Sequence, residues 1–147
     1  MNKLLIITYY WPPSGGAGVQ RWVKLSKYLM DLGCSCYVLT VDPNRASYMQ
    51  NDESLINDIH PALKVYHTNS FEPINIFASI FGKKSVPTAG FSNVNNATFK
   101  QKSINFIRSN FFIPDPRVGW NKYAIKVAKK LIQEHGIDTI ITSSPPH

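Results

Sequence analysis

Cysteine is nearly absent from this chain, and so are the features that would place it in a membrane or around a metal. The two cysteines, Cys34 and Cys36, stand two residues apart on a predicted strand, where extended backbone disfavours a bridge between them. With no third cysteine and no clustered histidine there is no zinc-ligand spacing, and a reducing cytoplasm is the default compartment. No apolar run approaches the roughly eighteen residues of a membrane span. The first eleven residues carry one lysine and a short apolar stretch before Pro12-Pro13, which is unlike a secretory leader. A Gly-Lys-Ser/Thr triplet is missing, which excludes a Walker loop. No Asp-x-Asp pair occurs either, removing one cue for a metal held between carboxylates and a diphosphate. Acidic residues are scarce in one region: residues 83–130 hold ten lysines and arginines against Asp115 alone, whereas residues 1–82 balance six against six. The net charge of +7 is therefore a local cationic surface.

What is present is a single domain's worth of sequence. A chain of 147 residues, 44% hydrophobic, can bury about two thirds of its unfolded surface in a core. Its most informative stretch is Trp11-Pro12-Pro13-Ser14-Gly15-Gly16-Ala17-Gly18, set between an apolar run and a helix-patterned one that carries Arg21. A buried strand, a glycine turn and a helix start together present bare backbone N–H groups to a phosphate. Glycines also simply make turns. Here, however, three of them fall within four residues, each costing roughly 0.5–1 kcal/mol relative to alanine inside regular structure, so close approach of a ligand or another domain is the natural reason for them.

Hydrophobic periodicity predicts a strand over 4–9, a helix over 19–32 with Val19, Trp22, Val23, Leu25 and Leu29 inward and Gly33 as its stop, and a strand over 34–41 ending at Asp42-Pro43-Asn44. Asp52 caps a short helix through Ile59, and residues 63–68 form a third strand. An irregular region over 69–96 leads into a Phe-rich amphipathic stretch over 97–112, broken by Pro114-Asp115-Pro116. A helix over 120–135 turns Ala124, Val127, Ala128 and Leu131 inward and Lys126, Lys129 and Lys130 outward. It stops at Gly136 before a fourth strand over 137–142. Such alternation predicts a Rossmann-like, doubly wound parallel α/β sheet, with its ligand crevice beyond the strands' carboxyl ends.

The dinucleotide fingerprint G-x-G-x-x-G fits poorly, since Gly16-Ala17-Gly18 is followed by Arg21 where the third glycine belongs and lies five or six residues beyond the strand. Asp42 ends strand two as a ribose-binding acid would, but acids there also form turns.

Three motifs in order, Tyr10-Trp11-Pro12-Pro13-Ser14-Gly15-Gly16-Ala17-Gly18-Val19-Gln20-Arg21, then Pro114-Asp115-Pro116-Arg117-Val118-Gly119-Trp120, then Ser143-Ser144-Pro145-Pro146-His147, resemble the amino-terminal domain of GT-B glycosyltransferases of the family 4-like group. The resemblance runs from end to end of the chain. It implies that residues 1–147 are an incomplete acceptor-side domain facing, across a cleft, a carboxyl-terminal lobe that holds most of a nucleotide sugar. It also implies retaining transfer of the sugar to a saccharide or lipid-linked acceptor without an obligatory metal or other cofactor. On that resemblance Gly15, Gly16 and Gly18 line the cleft, and the helix start contributes about 0.3–1 kcal/mol to an exposed departing diphosphate, or up to about 2 if partly buried. Arg21 either meets the phosphate or pairs internally. His147 becomes the candidate catalytic residue, a neutral imidazole hydrogen-bonding a sugar hydroxyl. Asp115, Arg117 and Trp120 either flank the acceptor groove or tie down the helix entrance, with Trp120 packing on the sheet.

The same cationic region suggests a partner. Phe99, Ile104, Phe106, Ile107, Phe111 and Phe112 interleaved with Lys100, Lys102 and Arg108 fit an anionic membrane surface through residues 97–130, peripheral on the cytoplasmic face, or else cover the domain's own core. Two other classes stand beside the transferase: a nicotinamide-dependent oxidoreductase or epimerase, and a non-enzymatic basic module binding membrane or nucleic acid. The basic residues are set on no recognised nucleic-acid-reading motif, so nucleic acid is not the expected partner.

Overall fold

A computed structural model describes residues 2–48, 50–71 and 117–143. The Phe-rich stretch over 97–112, Asp115 and His147 lie outside the described residues.

Four strands, β1 (Lys3–Thr8), β2 (Ser35–Val41), β3 (Lys64–Thr68) and β4 (Thr139–Ser143), form one sheet in the order β3-β2-β1-β4. All three pairings are parallel, with Leu5 opposite Tyr37 and Ile140, and Leu39 opposite Tyr66. Helix α1 (Ala17–Asp31) joins β1 to β2, a 3-10 turn (Glu53–Asp58) lies between β2 and β3, and helix α2 (Asn121–His135) precedes β4. The sheet is thus the all-parallel α/β kind expected of a Rossmann-like domain. Predicted boundaries move by one or two residues, with one consequence: α1 starts at Ala17, so Gly18 belongs to the helix and not to the loop before it.

The layers follow from strand pleating. Alternate residues face opposite sides, so Leu4 and Ile6 of β1 join Cys36 and Val38 of β2 beneath Val19 and Val23 of α1, with Leu55 of the 3-10 turn on the same side. Leu5, Leu39 and Val41 face the other way, onto Ala124, Ala128 and Leu131 of α2. Parallel crossovers are right-handed, so a chain stepping β1-β2-β3 and then returning past β1 to β4 must put its helices on opposite faces. Buried from both sides, β1 and β2 carry near-continuous apolar runs.

One predicted inward residue is corrected. Leu25 is exposed, and Ser26 occupies the core position instead. Seven residues, about two turns, separate Val19 from Ser26 and stack them on one face, whereas Leu25 falls on the flank. The Ser26 hydroxyl donates to Val23 O at 2.8 Å, which satisfies it in the core.

Asp52 caps the 3-10 turn by accepting from Ser54 N–H at 3.1 Å. Both cysteines are free thiols, Cys36 buried and Cys34 half-buried on the same side of the sheet. Burial, with a smaller contribution from Cys34, pushes the Cys36 thiol up from its ordinary range. A raised thiol favours the folded state below the unfolded value, and that preference is lost as pH rises through the folded one. In the native protein at mildly alkaline pH, iodoacetamide should modify Cys34 while Cys36 reacts only after denaturation, as peptide mass mapping would show.

Candidate functional site

The carboxyl ends of the four strands share one edge, and β1 is where the topology reverses, since the chain leaves toward β2 on one side and arrives as β4 on the other. Such a reversal opens the crevice in which parallel α/β sheets bind ligands. The segment leaving β1 there is the glycine loop.

Trp11 is 1% exposed and anchors the loop, and Ser14 N–H donates to Trp11 O at 2.9 Å around a cis Pro12-Pro13 bond. The loop is then stapled to the chain between β2 and the 3-10 turn. Gly15 N–H donates to Gln50 O at 2.8 Å, Asp52 N–H donates to Pro13 O at 2.7 Å, and Ser14 bridges Asn51. Residues 50–52 are thus a wall of the site with no motif to announce them.

The three glycines separate by role. A Cβ on Gly15 would stand 3.1 Å from both Gln50 Cγ and Asp52 Cβ, so this glycine serves the staple. Gly16 takes φ 106°, a conformation L side chains rarely adopt, and its carbonyl accepts from Val19 and Gln20 N–H at 3.1 Å each as the N-cap of α1. Gly18 has neither reason: among the described residues its Cβ would meet nothing within 4 Å, and its φ lies outside the left-handed region. The helix start itself has no side-chain cap and no acidic residue in its first turn. It leaves main-chain N–H groups, and the positive end of the dipole, without a side-chain partner among the described residues.

Arg21 lies one turn further along α1, exposed and in no ion pair among the described residues. Beside it the Trp22 indole N–H donates to Ser143 Oγ at 2.7 Å, tying the start of α1 to the end of β4. The glycine end of α1 and the strand that runs toward His147 therefore meet at the same edge.

Arg117 and Trp120 approach that edge from α2's side of the sheet. The Arg117 guanidinium carbon lies 5.4 Å from the Tyr9 ring centroid and 5.2 Å from that of Tyr10. Tyr9 in turn stands edge-on to Tyr10, Tyr48 and Trp120 at 5.1, 6.0 and 5.6 Å. Trp120 is buried, and its indole N–H donates to Thr68 Oγ1 at 2.7 Å. It packs on the sheet and offers little surface to a ligand. Sequence reasoning missed the tyrosine nest; the run Tyr9-Tyr10-Trp11 at the end of strand one was its only signal. Tyr10 packs against the cores of both faces and carries the Arg117 guanidinium over its ring. Replacing Trp120 by Phe keeps the packing but removes the donor to buried Thr68, and should cost about 1–2 kcal/mol in chemical denaturation with an unchanged m-value.

Asp42 accepts from both Asn44 N–H, at 2.9 Å, and Asn44 Nδ2, at 3.1 Å, through one carboxylate oxygen. Its side chain builds its own turn, the behaviour of a turn former rather than of a ribose ligand. Among the described residues no group of three His, Cys, Asp or Glu is placed to hold a metal ion, and no helix is long and apolar enough to cross a membrane.

Fold and edge together define a mixed α/β domain with a four-stranded all-parallel sheet, compatible with the Rossmann-like class. Comparison with protein-family models, curated proteins and solved structures gives no match to this chain.

Proposed function

We propose that this chain is the acceptor-side half of a GT-B glycosyltransferase, in which a second lobe delivers a nucleotide sugar to the edge formed by the carboxyl ends of β1 and β4. The observation that carries the reading is Gly18. Inside a helix a glycine costs up to about 1 kcal/mol relative to alanine. Among the described residues neither space nor backbone conformation asks for one at this position, and an approaching ligand would supply the reason. A leaving diphosphate has the matching chemistry, because uncapped N–H groups and the helix dipole favour charge that grows as the glycosidic bond to phosphate breaks.

On this reading the α1 start and Arg21 steady the diphosphate, and Gly15 and Gly16 shape the approach. His147 hydrogen-bonds a sugar hydroxyl, while Arg117, presented on Tyr9 and Tyr10, and neighbouring Asp115 border the groove for a saccharide or lipid-linked acceptor. The donor is a substrate, and no metal has a role in the scheme. The test is nucleoside diphosphate release by the full-length protein from a panel of UDP-, GDP- and dTDP-sugars, with product analysis for retention at the anomeric carbon. Release from at least one donor, dependent on acceptor, is the expected result. Silence across the panel together with saturable NAD(H) binding by calorimetry would replace this reading with the oxidoreductase one.

A further inference from the structure

The glycine loop is held by three consecutive residues of the connection after β2, all through main chain. Gly15 N–H donates to Gln50 O, Asn51 bridges Ser14, and Asp52 N–H donates to Pro13 O, so residues 13–15 and 50–52 form a short antiparallel ladder. A two-stranded ladder is marginal in water by itself. Glycine also loses more backbone freedom on ordering than any other residue, and the loop carries Gly15 and Gly16 side by side. The ladder therefore depends on anchors at its ends. Trp11, 1% exposed, fixes the loop strand where it leaves β1. On the other strand the anchor is Asp52. Its backbone is extended, with φ −144° and ψ 92°, and forms the last rung of the ladder. Its carboxylate accepts from Ser54 N–H at 3.1 Å and from the Ser54 hydroxyl, which caps the 3-10 turn. That turn is fastened in the α1-side core, with Leu55 buried and Ile59 packed against the same cluster. One residue thus joins the loop, through its main chain, to a turn rooted in the core, through its side chain.

We infer that Asp52 is a positioning residue of the candidate site: its carboxylate makes the 3-10 turn and the ladder open and close as one unit, and the ladder holds Gly15, Gly16 and the start of α1 in the shape a ligand meets. Ordering the loop in advance spares a ligand the entropy of fixing it on binding. An N-cap needs an acceptor oxygen and not a charge, and asparagine supplies one as well as aspartate does. The functional consequence rests on the sugar-nucleotide reading of the glycine edge, whereas the coupling of turn to loop is measurable without a ligand.

The test is amide hydrogen exchange of the full chain, followed by NMR, in which each rate reports the population of the form where that amide is opened. In Asp52→Ala the Gly15 amide should exchange about fivefold faster than in the parent, the usual effect of losing an N-cap, and Asp52→Asn should bring it back to within about twofold of the parent rate. Ile137 N–H, bonded to Ile132 O where α2 meets β4, is the control and should keep its rate in both variants. Circular dichroism checks that both fold as the parent does. An unchanged Gly15 rate in Asp52→Ala would mean that the ladder opens without the cap, and would overturn the proposal. Equal acceleration in Asp52→Ala and Asp52→Asn would overturn it too, because the charge and not the acceptor would then be responsible. Saturating UDP should slow Gly15 exchange further in the parent, since a ligand that binds only the ordered loop stabilises it. No slowing by UDP, with the alanine and asparagine pattern intact, would count against the sugar-nucleotide reading alone; the pattern itself decides the role of Asp52.

Discussion

Gly119→Ala should be the most damaging small substitution in the protein. A Cβ at residue 119 would overlap the Phe71 carbonyl oxygen and lie 3.0 Å from its carbon, and both are backbone atoms, so no side-chain rotation relieves the overlap. Either the segment after β3 or the turn entering α2 must shift. That turn carries Trp120, whose bond to Thr68 fixes it on the end of β3, so displacement is resisted from both sides. Overpacking of this kind costs about 1–3 kcal/mol, and the rigid partner puts Gly119 at about 3. For a chain of this size that lowers the melting midpoint by about 6–12 °C. Val118→Ala is the control: Val118 is 54% exposed, and truncating it should leave the midpoint within a degree or two. An unchanged midpoint in Gly119→Ala would mean that residues 71 and 119 do not approach as described.

Gly18→Ala should move stability and activity in opposite directions. The methyl group meets none of the described residues, and alanine is the better helix former, so folding should gain up to about 1 kcal/mol. If a diphosphate rests against the main chain of α1, the same methyl stands in its way, and kcat/KM for transfer by the full-length protein should fall about tenfold or more, equivalent to about 1.4 kcal/mol of transition-state stabilisation. Gly18→Val should deepen the loss of transfer. A merely structural glycine cannot give this pair of results, because its replacement would lower stability and activity together. Full activity in a stabilised Gly18→Ala protein would take the helix start out of the mechanism.

Much of the fold was legible because its signals are local. The apolar runs at residues 4–9 and 34–41, the stops at Gly33 and Gly136 and the Asp52 cap act within a few residues of themselves, and each marks an element in the folded chain. Leu25 and Ser26 were exchanged because composition favours leucine in a core while position decides which face a residue occupies. The glycine stretch drew attention as a group, but its division into Gly15 against residues 50–52, Gly16 at a positive φ and Gly18 in open space depends on neighbours some 35 residues away. The same holds for Arg117, which meets Tyr9 and Tyr10 across more than a hundred residues of chain.

By itself the sequence determined the alternation of strands and helices, their stops, the parallel α/β class and the cationic bias of the second half, since backbone preference and hydrophobic period are properties of short stretches. Only the tertiary structure decided that β4 lies beside β1, that Trp22 closes on Ser143 and that residues 50–52 hold the glycine loop. Those contacts arise from burying both faces of one sheet at once, a constraint on the whole chain that no window of it contains.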